Sequence, residues 1–330
     1  MYIKGSLAKT TLLLSPTNYF IVSNMTNYEV NTNIEQQRKT LTGLLKKTDN
    51  EKVLLRWLTT ELAYTSNAIE GNTLTRRETA LAIEENIVAG AKPLTDYIEA
   101  RNHADAFRFI FDARKQPITK NLVLTIHRLI LQGIDNLNAG VYRSVRVRIS
   151  GSRVVLPNPL KVPDLMEDFV QNINTDMPTG AIEAHLALVS IHPFIDGNGR
   201  TARLLMNLML INAGYAPIII RPRDRKRYIA CIEKAQMHGD NNHYILFMLR
   251  ALERSQQTAI DLLTKDVPDT KKLLKIGELA RLAGLPVSTL RFYIASGKLT
   301  LASRTESDYM LFDPKQAEEL KENGGAPAPS

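Results

Sequence analysis

A single cysteine, Cys231, stands in 330 residues, so the chain cannot close a disulfide on itself. Its neighbours Ile229, Ala230 and Ile232 follow a helical apolar pattern, which reads as a buried structural thiol and not a nucleophile. That cysteine usage fits a reducing compartment, and a cytoplasmic location is the expectation. Long apolar runs are missing as well. The longest, Leu204–Ile211, contains Asn207 and falls far short of the roughly 18 residues of a membrane helix. Histidine is sparse, and His103, His127, His185, His238 and His243 show no metal-ligand spacing; each reads as a packing or surface residue. With 44% hydrophobic and 23% charged residues, the composition is that of a globular protein of two domains, or one large domain with a small attachment.

Acidic residues are absent where basic ones gather. Between Asn136 and Pro163 stand Arg143, Arg146, Arg148, Arg153 and Lys161 with no acid, and Arg221–Arg227 sets five basic residues against Asp224. These two patches account for the formal net charge of +8. Because both flank the motif described next, they read as a rim that attracts a nucleotide or an acidic target, in preference to a nucleic-acid footprint.

What is present is concentrated in His192-Pro193-Phe194-Ile195-Asp196-Gly197-Asn198-Gly199-Arg200-Thr201-Ala202-Arg203. His192 can take a proton near neutral pH. Asp196 is a hard oxygen ligand suited to one position on Mg²⁺. Gly197 and Gly199 allow a turn whose backbone N–H groups approach an anion at the start of a helix. Arg200 and Arg203, three apart, share a helix face and can hold phosphate oxygens as rigid forks. A lone Gly-x-Gly would say little; eight specified positions in twelve residues say much more.

This run resembles, position for position, the signature of the Fic (Fic/Doc) family, H-x-F-x-D/E-G-N-G-R-x-x-R. The resemblance implies transfer of AMP from ATP to a Tyr, Thr or Ser hydroxyl of a protein. It implies His192 as the base, Asp196 on Mg²⁺, and the backbone of Gly197 and Gly199 with Asn198 as an anion hole. Arg200, Thr201 and Arg203 would hold the remaining phosphates, and Phe194 would anchor the loop. Upstream, Ser66-Asn67-Ala68-Ile69-Glu70-Gly71-Asn72 places Ser66 and Glu70 four apart on one helix face, with Gly71 suited to end that helix. It resembles the family's inhibitory motif S/T-x-x-x-E-G/N, carried on the protein's own N-terminal side, and implies that Glu70 pairs with Arg203. Tyr228 and Gln236 resemble family positions near the adenosine pocket, although asparagine is common where Gln236 stands. The resemblance spans Tyr142–Asp240 and Ser66–Asn72, roughly a third of the chain.

The rest of the chain reads as mainly α: a Fic-type helical bundle with a β-hairpin flap, then a small winged helix-turn-helix. Residues 1–32 read as an N-terminal extension, disordered or strand-like over Met1–Ser23, with Met25 an alternative start. Helical spacing covers Asn33–Ala63, Thr75–Ala89, Thr95–Phe111, Ile118–Leu131, Val162–Ile173, Ala181–Ile191, Arg200–Asn212 and a stretch through Lys234, with a last helix ending near Leu263. Val145–Ile149 alternates apolar and basic residues, Ser150-Gly151-Ser152 turns, and Arg153–Leu156 returns, which predicts a hairpin. In the family that flap docks the target by strand pairing, which singles out Val147, Arg148, Ile149 and Ser150. The bundle is taken as 33–265 and the linker as 266–272. The winged domain is 273–322, with Ser288 capping its second helix and Lys298–Phe312 as the wing; 323–330 is a flexible tail.

That domain resembles MerR-type regulators, yet seven basic residues balance seven acidic ones across Leu273–Glu322. Protein docking or self-association, a homodimer included, is therefore preferred over DNA binding. The target is a protein, the chain itself among the candidates. Four rival readings remain: removal of AMP, transfer of another nucleotide part, Doc-type phosphorylation, which the presence of both arginines disfavours, and a nucleotide-sensing DNA regulator.

Overall fold

The computed structural model describes residues 16–47, 49–88, 91–264, 273–296, 298–304 and 310–322. The linker and tail expected at 266–272 and 323–330 lie outside them. Among the described residues, ten α-helices precede residue 265: α1 Pro16–Leu44, α2 Asn50–Glu70, α3 Arg76–Glu84, α4 Leu94–Asp112, α5 Lys120–Leu131, α6 Val162–Gln171, α7 Thr179–Ile191, α8 Asn198–Asn212, α9 Arg225–His238 and α10 Asn242–Thr264.

The pair α7–α8 is central: α8 is buried from Arg200 to Leu210, and α7 shows solvent only a narrow stripe around Glu183 and Ala187. Ala181, Ile182, Leu188, Leu205, Met206, Leu208 and Leu210 are all completely buried, and a helix that is apolar nearly all round must be enclosed by others. One core gathers α7 and α8 with Val30 and Ile34 of α1, Met166 and Phe169 of α6, and Met248 and Leu252 of α10. A second joins Leu58 and Leu62 of α2 to Phe107 and Ile110 of α4, Ile126 and Ile130 of α5, and Leu204 and Leu208 of α8. The site therefore sits at the one turn linking the two most buried helices.

Two expectations are corrected here. Residues 16–32 are helical, part of α1, where the sequence predicts an extension, disordered or strand-like up to Ser23; residues 1–15 lie outside the described ones. The second half of α1 packs on the bundle: Val30, Ile34 and Leu41 are buried, and Gln256 of α10 donates to the Ile34 carbonyl at 2.9 Å. Tertiary packing overrides a polar, β-branched composition that has little helical preference of its own. Asn33–Ala63 is likewise two helices, broken after Leu44, where the Asn50 side chain caps the Leu44 carbonyl at 2.8 Å.

The expected β-hairpin at Val145–Leu156 forms no ladder. Two extended arms meet at a turn, closed by Ser152 N–H donating to the Ile149 carbonyl at 3.1 Å. The roots of the arms are held by a side chain: Arg143 donates to the carbonyls of Val145 and Pro157. Among the described residues, the backbone of 144–148 pairs with no other backbone.

Residues 273–322 enclose a separate small core of Leu279, Leu290, Leu299, Phe312 and Leu320. Helix α11 Ile276–Ala283, a left-handed Gly284, and helix α12 Val287–Ala295 make the helix-turn-helix. Strands β1 Leu274–Lys275, β2 Ser303–Arg304 and β3 Met310–Phe312 form an antiparallel sheet of order β1-β3-β2, and α13 Pro314–Glu322 packs on α11. Ser288 is not the cap: α12 starts after Pro286, whose extended φ/ψ sets the entry without a side-chain bond. No helix among the described residues is long and apolar enough to cross a membrane.

Candidate active site

Helix α7 ends at His192, which adopts a left-handed conformation (φ +50°, ψ +60°) while its N–H still closes the helix onto the Leu188 carbonyl at 3.0 Å. A non-glycine residue there is uncommon and marks a site where surrounding contacts impose the geometry. Nδ1 faces the Val189 carbonyl at 3.3 Å, an acceptor only, so the proton sits on Nδ1 and Nε2 keeps its lone pair. Burial, joined by the Arg143 charge, holds the imidazole below its ordinary range against the opposing pull of Val189, Asp196 and Glu70. Neutral at pH 7, with one nitrogen free, His192 has the form a general base needs.

The loop after it is built like a clamp. Asn198 accepts from Phe194 N–H at 2.9 Å and donates to the Phe194 carbonyl at 3.0 Å, so the side chain staples the turn. An anion hole here would use the backbone N–H of Asn198, not its buried amide. Phe194 is fully buried and stacks on His127, ring centroids 3.6 Å apart. His127 accepts from Gly140 N–H at 2.9 Å through Nδ1, which puts its proton on Nε2, donating to the Asp196 carbonyl at 2.9 Å. Gly197, at φ +73°, passes so close that a Cβ would stand 3.2 Å from the His127 ring. Sequence reading treated His127 as a packing or surface residue; it supports the whole turn. The available signal was its place on the apolar face of α5, with Val123 and Ile130.

Gly199 lies within α8, not in the turn, and its role is close approach. A Cβ on it would meet Glu70 Oε1 at 2.5 Å and Arg203 Nη1 at 3.0 Å. The Glu70 carboxylate thus stands at the N-terminus of α8, where helix polarity favours an anion. Arg203 donates to Glu70 at 2.6 Å, to the Ser66 hydroxyl at 2.9 Å and to the Ser66 carbonyl at 3.0 Å. Gly71, left-handed at φ +103°, ends α2 as its sequence suggested. Arg225 adds a 2.5 Å bond to the Ile69 carbonyl, tying α2 to the basic stretch Arg221–Arg227.

Arg200 is almost completely buried and already paired, with Glu99 at 2.7 Å and Asp196 at 3.1 Å. Glu99 in turn accepts from Asn72 at 2.8 Å. Glu99 was missed: nothing in its local sequence marks it, because α4 and α8 are brought together only by the fold; Asn72 closes the Ser66–Asn72 run, but its role as a partner of Glu99 shows only in the fold. Thr201 is fully buried, its hydroxyl without a partner among the described residues, so it faces the helix packing and not the open side of the loop. Tyr228 is 1% exposed and lies beneath Arg203, its hydroxyl 2.8 Å from His185 Nε2, while Tyr244 contacts the other nitrogen at 2.6 Å. Gln236 donates to the Ser190 hydroxyl at 3.1 Å. The flap positions Val147, Arg148, Ile149 and Ser150 alternate half-buried and exposed along the first arm and turn.

Asp196 carries a 69% exposed side chain, and no group of three or more His, Cys, Asp or Glu gathers among the described residues. One exposed carboxylate fits Mg²⁺ held mainly by phosphate oxygens and water. Three histidines behind the site behave differently. Burial pushes His103 and His185 down to about 3 and His127 down to about 4. The unfolded chain takes up these protons near pH 6.5, before the folded one does. Stability is therefore complete above pH 6.5 and falls toward pH 4, by about 1.4 kcal/mol per pH unit for each histidine. Urea midpoints measured from pH 7.5 to 4.5 should drop accordingly; a flat profile would refute the neutral buried imidazoles.

A profile of the Fic/DOC family matches residues 117–210, which hold this loop and the two helices around it. The chain carries a Fic/DOC domain. A MerR family regulatory protein profile matches residues 275–312. Among curated proteins, "Protein adenylyltransferase Fic" of Nematostella vectensis is 37% identical over 199 residues, 58% of this chain and 46% of that protein. Its namesake in Drosophila grimshawi is 34% identical over 200 residues, 58% of this chain and 41% of that one. The chain thus spans less than half the length of these curated relatives. Among solved structures, a Fic domain-containing signalling protein from Bacteroides thetaiotaomicron superposes with a TM-score of 0.63 at 27% identity, covering 70% of this chain and 97% of that one. Fic-1 from C. elegans gives 0.66 at 28% identity, covering 74% of each chain.

Proposed function

We propose that the protein transfers AMP from ATP to a protein hydroxyl and is restrained by its own helix α2. The carrying observation is His192, its Nδ1 turned to the Val189 carbonyl and its imidazole held uncharged, directly before a turn that the Asn198 side chain locks at the start of α8. Adenylyltransferase relatives support ATP as the donor and a protein as the acceptor. His192 takes the proton of a Tyr, Thr or Ser as that oxygen bonds to the α-phosphorus; the bond to the bridging oxygen breaks and pyrophosphate departs. The first N–H groups of α8 receive the α-phosphate oxygens. Asp196 would hold Mg²⁺, which when bound neutralises charge on the phosphates. Arg203, freed from Glu70, grips the terminal phosphates and keeps the leaving group in line. Arg200, buried between Glu99 and Asp196, works from behind by orienting the Asp196 carboxylate.

Restraint follows from occupancy. Glu70 stands against Gly199 and neutralises Arg203, so it competes with phosphate for both helix terminus and guanidinium. Incubating the protein with ATP, Mg²⁺ and a cell extract, then reading proteins by mass spectrometry, tests the reaction: gain of one AMP is expected, whereas loss of AMP from modified proteins or gain of phosphate alone would displace it. For the winged domain we propose protein docking. Helix α12 exposes Phe292 at 63% beside Arg291, the lone basic residue of that helix. Duplex DNA should bind the full chain no tighter than non-specifically, about 10⁻⁴–10⁻⁶ M at physiological salt. A nanomolar, sequence-dependent complex in a salt titration would overturn this.

A further inference from the structure

Arg143 is an unusual cation. It is 3% exposed, and among the described residues no carboxylate pairs with it. Its guanidinium is spread over carbonyls from three segments instead. Nε donates to His192 at 2.7 Å, Nη2 to Pro157 at 2.8 Å and Nη1 to Val145 at 3.2 Å, while its own backbone N–H donates to Pro193 at 2.9 Å. Burying a charge without a counter-ion is expensive, and dipoles of three aimed carbonyls offset it only if the geometry is kept. Val145 and Pro157 are the roots of the two flap arms. His192 is the residue held left-handed at the end of α7. One side chain therefore joins both roots of the flap to the backbone of the base.

We propose that Arg143 is a positioning residue for the transfer: it sets the His192 backbone and fastens it to the flap, so that a target strand docked along the unpaired arm and the imidazole that takes its proton stay in one frame. This rests on the transferase reading above. The contact needs a planar fork with several donors, which lysine cannot reproduce. A second consequence is electrostatic. His192 is faced by the positive charge of Arg143, by Asp196 from its own loop, by Glu70 from α2 and by the Val189 carbonyl from α7. Arg143 disfavours the imidazolium; the other three favour it.

The test uses the full chain carrying Glu70→Gly, with Arg143→Lys and Arg143→Gln added singly. Transfer should fall about tenfold in kcat with lysine and about a hundredfold with glutamine, with KM for ATP unchanged, since misplacement by an ångström costs that much. The His192 imidazole, identified by its loss in His192→Ala, is titrated by NMR. Its midpoint should rise in Arg143→Gln and stay in place in Arg143→Lys. A lysine variant that melts like its parent and keeps kcat within about twofold overturns the proposal, as does an unmoved His192 midpoint in the glutamine variant. If the glutamine variant does not fold, the lysine variant decides alone. If the Glu70→Gly parent transfers no AMP, the transferase reading fails, and the NMR titration still judges the link between Arg143 and His192.

Discussion

Glu70→Gly should raise AMP incorporation from labelled ATP by roughly 5- to 150-fold, the range of a coupling between two sites of 1–3 kcal/mol. The expectation has two independent sources. Removing the carboxylate vacates the ground beside Gly199, and it returns Arg203 to a bound phosphate. The pair lies between a guanidinium that is 6% exposed and a carboxylate that is 36% exposed, so water screens it less than a surface ion pair. Arg203 does not become an orphan, because Ser66 still offers its hydroxyl and carbonyl. The fold should survive, and the change should appear in rate rather than in melting temperature. Activity equal to or below that of the unmodified chain would remove Glu70 from regulation.

His192→Ala has the opposite sign and a larger effect. Loss of a positioned base costs about 10²–10⁴-fold, while ATP affinity, which depends on the α8 terminus and Arg203, should stay close to that of the parent by calorimetry. The unaltered chain adds a pH signature. Since burial holds His192 below the usual histidine range, the acid limb of kcat/KM should have its midpoint under pH 6.5, with full activity above it. Retained transfer in the alanine variant, or an acid limb centred above pH 6.5, would take His192 out of the base role.

Legibility differed sharply between parts of this chain. The loop from His192 to Arg203 could be read because its pattern is local: the residues proposed to meet a phosphate lie on the first turns of one helix and the bend before it. Glu70 could be read for a similar reason, since one helix end with a glycine stop presents Ser66 and Glu70 together. The flap misled because alternation of apolar and basic residues signals an extended chain, and says nothing of where its carbonyls will find donors. Arg143 takes two of them, at Val145 and Pro157, and no ladder forms between the arms.

Sequence alone determined where the candidate side chains stand in the chain, the helical class of the protein, and the small domain after residue 272, since each follows from residue type and short-range periodicity. Tertiary structure decided the rest. It recruited residues 16–32 into a long helix, buried Thr201 and Tyr228, and chose Glu99, Asn72, His127 and Arg143 as partners of the loop. Those partners come from helices and arms distant in the chain, and only packing fixes how they approach. Hydrogen bonds and ion pairs act over a few ångströms, a distance that one-dimensional order does not encode.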